Sequence, residues 1–167
     1  MPKSIQQATK EAVLKCLREH LHEKVSGYKT VREWALVNEY IEAPQCPAVA
    51  VTDTGGWDKV YETAQGLNTD GTVGSGQSRR TLPLEIQIWL VGNAQDTLEE
   101  DLRKWADGVV AVIEDNWDLD DDHYFARAKA GAPLSPVPFG RGSDLLQAIT
   151  VSVTVDTWSS CGDATFD

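Results

Sequence analysis

The chain has 167 residues, 26 acidic and 15 basic, for a net charge of −11 and a pI near 4.6. One domain of that length buries about 70% of the surface its unfolded chain would expose, so it needs no disulfide or metal staple. The acidic balance argues against a nucleic-acid reader or a binder of anionic lipid, which need clustered Lys and Arg, and no apolar run approaches the roughly 20 residues of a membrane span.

The first predicted element is a helix of about 20 residues. Ser4 and Gln7 have the spacing of a capping box, Val13, Leu14, Leu17, Leu21 and Val25 recur every three or four residues, and Gly27 stops the run. Residues 28–44 are ambiguous: Tyr28, Val31, Trp34, Leu36 and Val37 fit a short helix or an extended segment. Pro44 and Pro47 frame a turn before a buried strand at residues 48–52, and Asp53-Thr54-Gly55-Gly56 is a turn signal. A weaker strand follows at residues 59–62. Residues 64–80 hold four glycines and end in Arg79-Arg80 without a core-forming pattern, so they read as a long flexible loop.

Leu82, Leu84, Ile86, Ile88 and Leu90 then alternate with Pro83, Glu85, Gln87, Trp89 and Val91, the period of a strand with one buried face. That alternation puts Trp89 on the outward face, where an exposed Trp would mark a partner surface. A second helix starts near Asp96 or Thr97, with an apolar stripe of Leu98, Leu102, Trp105, Val109, Val112 and Ile113. The acidic run Asp118, Leu119, Asp120, Asp121, Asp122 leads to a short strand at residues 123–127. Residues 129–142, with three prolines and three glycines, read as loop. A last alternating strand carries Ile149, Val151, Val153 and Val155 inward, and residues 159–167 read as a loose tail. The expected fold is α+β: a single domain over residues 1–167, with two long helices on one face of a mostly antiparallel sheet of about four to five strands.

The acidity is uneven. Residues 1–93 carry a net charge of −1 and residues 94–167 one of −10, much of it between Asp96 and Asp122. The folded chain should therefore have one charged face.

No motif carries a convincing chemistry. Gly71-Thr72-Val73-Gly74-Ser75-Gly76-Gln77-Ser78 approaches a phosphate-binding P-loop, but Gln77 stands where the lysine belongs and a strand follows where a helix is needed. The Asp118 run fails the calcium-loop pattern, with His123 at the glycine position and Lys129 at the final glutamate position. Cys16 and His20 share a helix face, yet zinc needs two further ligands, and Cys46, Cys161 and His123 have no paired spacing. The three cysteines suit reduced thiols in a cytosol. With three histidines and no nucleophile elbow, nothing nominates a nucleophile, and the expectation is a protein that is not an enzyme and takes no cofactor or metal.

The order of elements is more telling. A leading amphipathic helix, the strand core Pro47-Ala48-Val49-Ala50-Val51, a long Gly-rich loop, the strand over residues 84–91, an acidic-start helix from Thr97 to Ile113 and a closing alternating strand follow one another. Over roughly residues 5–157 this pattern resembles the tail terminator (tail completion) proteins of tailed bacteriophages and related neck components. The resemblance implies a structural virion protein, present in the host cytoplasm during assembly. Its copies would form a ring, a homohexamer in that family, that caps the tail tube and joins it to the head–tail connector protein. DNA would pass through such a ring without specific binding. Arg79, Arg80, Trp89, Asp120, Asp121 and Asp122 are then the candidate assembly residues. The alternative is a small α+β enzyme or ligand-binding module with the Gly-rich loop, residues 66–78, as a lid.

Overall fold

The computed structural model describes residues 3–37, 45–54, 58–61, 77–119, 125–138, 145–160 and 165–166. A two-residue strand, β1 (Lys3–Ser4), runs into helix α1 (Ile5–Lys24). The Ser4 hydroxyl accepts the Gln7 N–H at 3.2 Å, satisfying one of the four unbonded donors of the first turn. The Gln7 amide donates to Glu11 Oε1 at 3.0 Å, so it supports the helix one turn on rather than closing the box. Gly27, at φ +75°, turns the chain away after the last turn.

The ambiguous stretch contains a strand, β2 (Glu33–Val37), which runs parallel to β3 (Ala48–Asp53). The Pro47 carbonyl starts the pair by accepting the N–H groups of Arg32 at 2.8 Å and Glu33 at 3.4 Å. After β4 (Asp58–Tyr61) comes β5 (Gln77–Gly92), 16 residues long. The loop expected over residues 64–80 is therefore corrected at its end: Gln77, Ser78, Arg79 and Arg80 are strand, because β4 and the end of the last long strand both pair with them. The rest of that stretch, residues 64–76, lies outside the described residues.

Helix α2 (Gln95–Asp115) has no side-chain cap at Ala94, and its first turn carries Asp96, where the positive end of the helix dipole favours an acid. β6 (Phe125–Pro133) and β7 (Val137–Pro138) run through much of what the Pro and Gly content of residues 129–142 assigns to loop. An edge strand tolerates both residues, and β6 has register shifts near each end. β8 (Leu145–Ser160) outlasts the expected boundary, and β9 (Thr165–Phe166) pairs with β1, so neither element belongs to a loose tail.

Among the described residues, seven strands form the main sheet. Its path is β2-β3-β5-β8-β6, with β4 on β5 and β7 on β8, and every pair is antiparallel except β2·β3. The α+β class is thus as expected, while the sheet is mixed and larger than four or five strands. Both helices cover the same face. Val49 and Val51, Leu82 to Leu90 at alternate positions, and Ile149 to Val155 at alternate positions pack against Val13, Leu17 and Leu21 of α1 and the whole predicted stripe of α2. Each such side chain contributes about 1.5–3 kcal/mol on burial. Beyond the end of α1, Tyr28 stacks on Trp105 with ring centroids 5.1 Å apart. No described helix is long and apolar enough to cross a membrane.

One charge lies inside this layer. Lys10 of α1 is buried, its side chain 7% exposed, and its ammonium meets Asp53 Oδ2 at the end of β3 at 3.2 Å. A buried ion left without its partner is costly, whereas an apolar side chain of similar shape is often neutral. Asp53 is itself a quarter exposed, which moderates the cost. Asp53→Ala should therefore destabilise by about 2 kcal/mol and Lys10→Met by less than about 1 kcal/mol. Urea unfolding of both variants checks this, and equal losses would contradict the pairing.

Candidate assembly surfaces

Arg80 and Trp89, the two candidate residues whose side chains are described, do not lie together. Arg79 and Arg80 sit near the start of β5, opposite Trp158 and Thr157 of β8. Arg80 is partly buried on the helix-covered side, where its carbonyl accepts the Thr157 hydroxyl at 3.5 Å. The Arg79 side chain is outside the described residues. Trp89 lies nine positions further along the strand, about 30 Å away at the rise of an extended chain. Asp120, Asp121 and Asp122 also lie outside the described residues. The residue before them, Leu119, is buried at φ +55°, an uncommon conformation for a non-glycine residue that the burial of its side chain holds in place.

The Trp89 expectation needs correction. The indole is on the sheet face away from the helices, as the alternation predicts, but it is 1% exposed. Ala48 on β3 and Ala148 on β8 stand directly opposite it on the two neighbouring strands. Their small side chains leave a niche that the indole fills, with Cys46 and Leu146 packed at its sides. Its Nε1–H donates to Gln87 Oε1 at 3.4 Å, so the buried polar tip is satisfied. A second, smaller core exists on this face. Beside it the Cys46 thiol is pushed up to about 11, first by burial and then by the Glu33 carboxylate, which leaves almost no thiolate at neutral pH.

Among the described residues the exposed Trp is Trp117, just past α2, at 53% exposure. With Glu114 and residues 127–130 of β6 it borders an open cleft of about 500 Å³ between the end of the helix and the sheet edge. Its carbonyl accepts the Ala128 N–H at 2.6 Å, tying the helix exit to the strand. Arg127 and Lys129 are exposed here, two of only five cations after residue 93. The sequence holds little signal for this: Trp117 lies four residues after Ile113 and so continues the α2 spacing, and only its polar neighbours Asn116 and Asp118 set it apart.

Among the described residues the acidity falls on α2. Asp96, Glu100, Asp107, Glu114 and Asp115 are exposed along α2, against Arg103 and Lys104. The sheet face away from the helices carries Thr52, Thr81, Gln87, Thr150, Ser152 and Thr154 with Glu85, Asp156, Arg127 and Lys129, beside the apolar patch around Trp89. Asp115 reaches Lys24 of α1, an ion pair that holds the ammonium above its usual pKa.

Among the described residues, no three His, Cys, Asp or Glu side chains lie together as a metal site would need. Gln77 and Ser78, the last residues of the P-loop-like segment, open a strand, so no helix N-terminus follows to receive a phosphate. Compared with known proteins, the chain matches no family model and no curated protein.

Proposed function

We propose that this chain is a structural virion protein of a tailed bacteriophage, a tail terminator or neck component whose copies form a ring between the tail tube and the head connector. The observation that carries the reading is the order and layering of the elements. A leading helix, a short strand pair, a long strand, a second helix and a long closing strand build two layers with both helices on one side. That is the order on which the resemblance to tail terminators rests, and the resemblance sets the ring at six copies.

The charge distribution fits the same role. A protein that lets DNA through a channel must not hold it, and phosphate binding is driven by clustered cations. The exposed carboxylates of α2 would repel a passing duplex if that layer faced the lumen.

Electron microscopy of particles made with and without the protein tests the role. Without it, tails of abnormal length, or normal tails unattached to heads, are expected. Tails of wild-type length joined to heads, made in its absence, would overturn the proposal.

A further inference from the structure

We infer that copies of this chain join head to tail through side chains: the cleft beside Trp117 of one copy receives Arg18 and Trp34 of the next. The inference rests on the ring reading and specifies its contact.

The Trp117 carbonyl holds the Ala128 N–H at 2.6 Å, which fixes the helix exit against β6. That bond occupies an outward group of the edge strand, so the cleft is a place for side chains and not for a further strand. Its floor is the helix-facing side of β6, where Ala128 and Ala130 leave room that larger residues would fill. Arg127 and Lys129 alternate to the opposite face of the sheet. Glu114 lines the cleft from α2, and Asp107, seven residues earlier, shares its helix face. Both acids are exposed, and neither forms an ion pair among the described residues. An exposed indole, a small apolar floor and an unpaired carboxylate together suit a cation carried on an aromatic body.

The occupant is a second copy, because the chain carries that group at its opposite edge. The Arg18 guanidinium lies over the Trp34 ring, 5.7 Å from its centroid, and Trp34 belongs to β2, at the other end of the sheet path from β6. Arg18 is exposed and Trp34 half-buried. Among the described residues no carboxylate pairs with Arg18, so its charge is free to meet one across a joint. Lys29 and Arg32, also exposed, make this edge more positive. The acids beside it are already engaged: Glu19 by Lys15 at 4.0 Å, and Glu33 by the Gln45 N–H at 2.8 Å.

The layering brings these two edges together. α1 packs on β2 and β3, and α2 packs on β5, β8 and β6, side by side on one face of the sheet. A head-to-tail neighbour therefore sets its α1 edge against the α2 edge of the first copy. Arg18 then meets Glu114, with Trp34 and Trp117 beside them, a pairing of residue types enriched at interface centres. Two copies joined about a two-fold axis would instead oppose like charges, which is unfavourable. Asp96 and Glu100 lie toward the start of α2, outside the joint, and keep that layer acidic. Because the two edges differ, the contact closes into a ring when the rotation permits.

Sedimentation velocity of the full chain across the micromolar range tests this, with circular dichroism checking that each variant folds. Wild type should self-associate, and less so as salt is raised. Arg18→Glu, Glu114→Arg and Trp117→Ser should each weaken association about tenfold or more. Placing Arg18→Glu and Glu114→Arg in one chain should restore association, since the charges are exchanged across the joint rather than lost. A wild type that stays monomeric, single variants that associate as wild type does, or a folded double variant that stays dissociated would each overturn the contact. Association that survives the single reversals would leave the ring reading standing, to be decided by the tail experiment.

Discussion

Trp89→Ala is expected to cost the folded state about 3–5 kcal/mol, the range for emptying a fully buried aromatic site. The indole fills the niche between Ala48 and Ala148, which are too small to collapse onto the space it leaves. For a chain of this length that loss lowers the melting temperature by roughly 6–20 °C, at about 2–4 °C per kcal/mol. Trp89→Phe should lose far less, because most of the packing stays and only the bond to Gln87 and part of the ring go. Differential scanning calorimetry of both variants measures the effect. A partner-facing Trp would behave in the opposite way, losing association at unchanged stability, so a shift under about 1 kcal/mol would contradict the buried site.

The second large effect is expected where the helices cross. A Cβ on Gly108 of α2 would stand 2.5 Å from Val25 Cγ2 and 3.4 Å from the Lys24 backbone. Val25 is buried against the core, so its side chain cannot swing clear into solvent. Gly108→Val should destabilise by about 3 kcal/mol, the upper part of the range for overpacking. Gly108→Ala should cost about 1 kcal/mol, since alanine's better helix propensity offsets part of the clash. Pairing Gly108→Ala with Val25→Ala removes the offending methyl, so the double variant should be more stable than the sum of the singles. Chemical denaturation of the four proteins gives the cycle, and strict additivity would mean the two side chains do not meet.

These two sites also mark how far the sequence could be read. The alternation in residues 82–91 and 149–155 and the stripe of α2 are local signals, and they placed the long strands, the second helix and the buried face. The Ser4–Gln7 spacing likewise placed the start of α1. The alternation puts Trp89 on the correct face, but what covers a face is decided by register with other strands. Only the pairing of Ala48 and Ala148 with Trp89 shows the niche. β2 is five residues long, too short for a period of two to exclude a helix, and its state is set by its parallel neighbour. Gly131 and Pro133 read as loop because they weaken a central strand, whereas β6 is an edge. The β1·β9 pair joins two-residue strands from distant parts of the chain, which no local pattern can announce.

The central pair of the sheet also governs the order of events during synthesis. β5 and β8 match along all sixteen positions, from Gly92 opposite Leu145 to Gln77 opposite Ser160. The nearest of these partners is more than fifty residues downstream, with α2 and β6 between them. On a ribosome β5 therefore emerges with its apolar side chains and its backbone edge waiting for a strand not yet made. Closing so long a loop before its contacts are gained is slow, and an unpaired apolar strand is prone to aggregate meanwhile. The nascent chain is most exposed to misassembly in the interval between the release of Gly92 and that of Leu145.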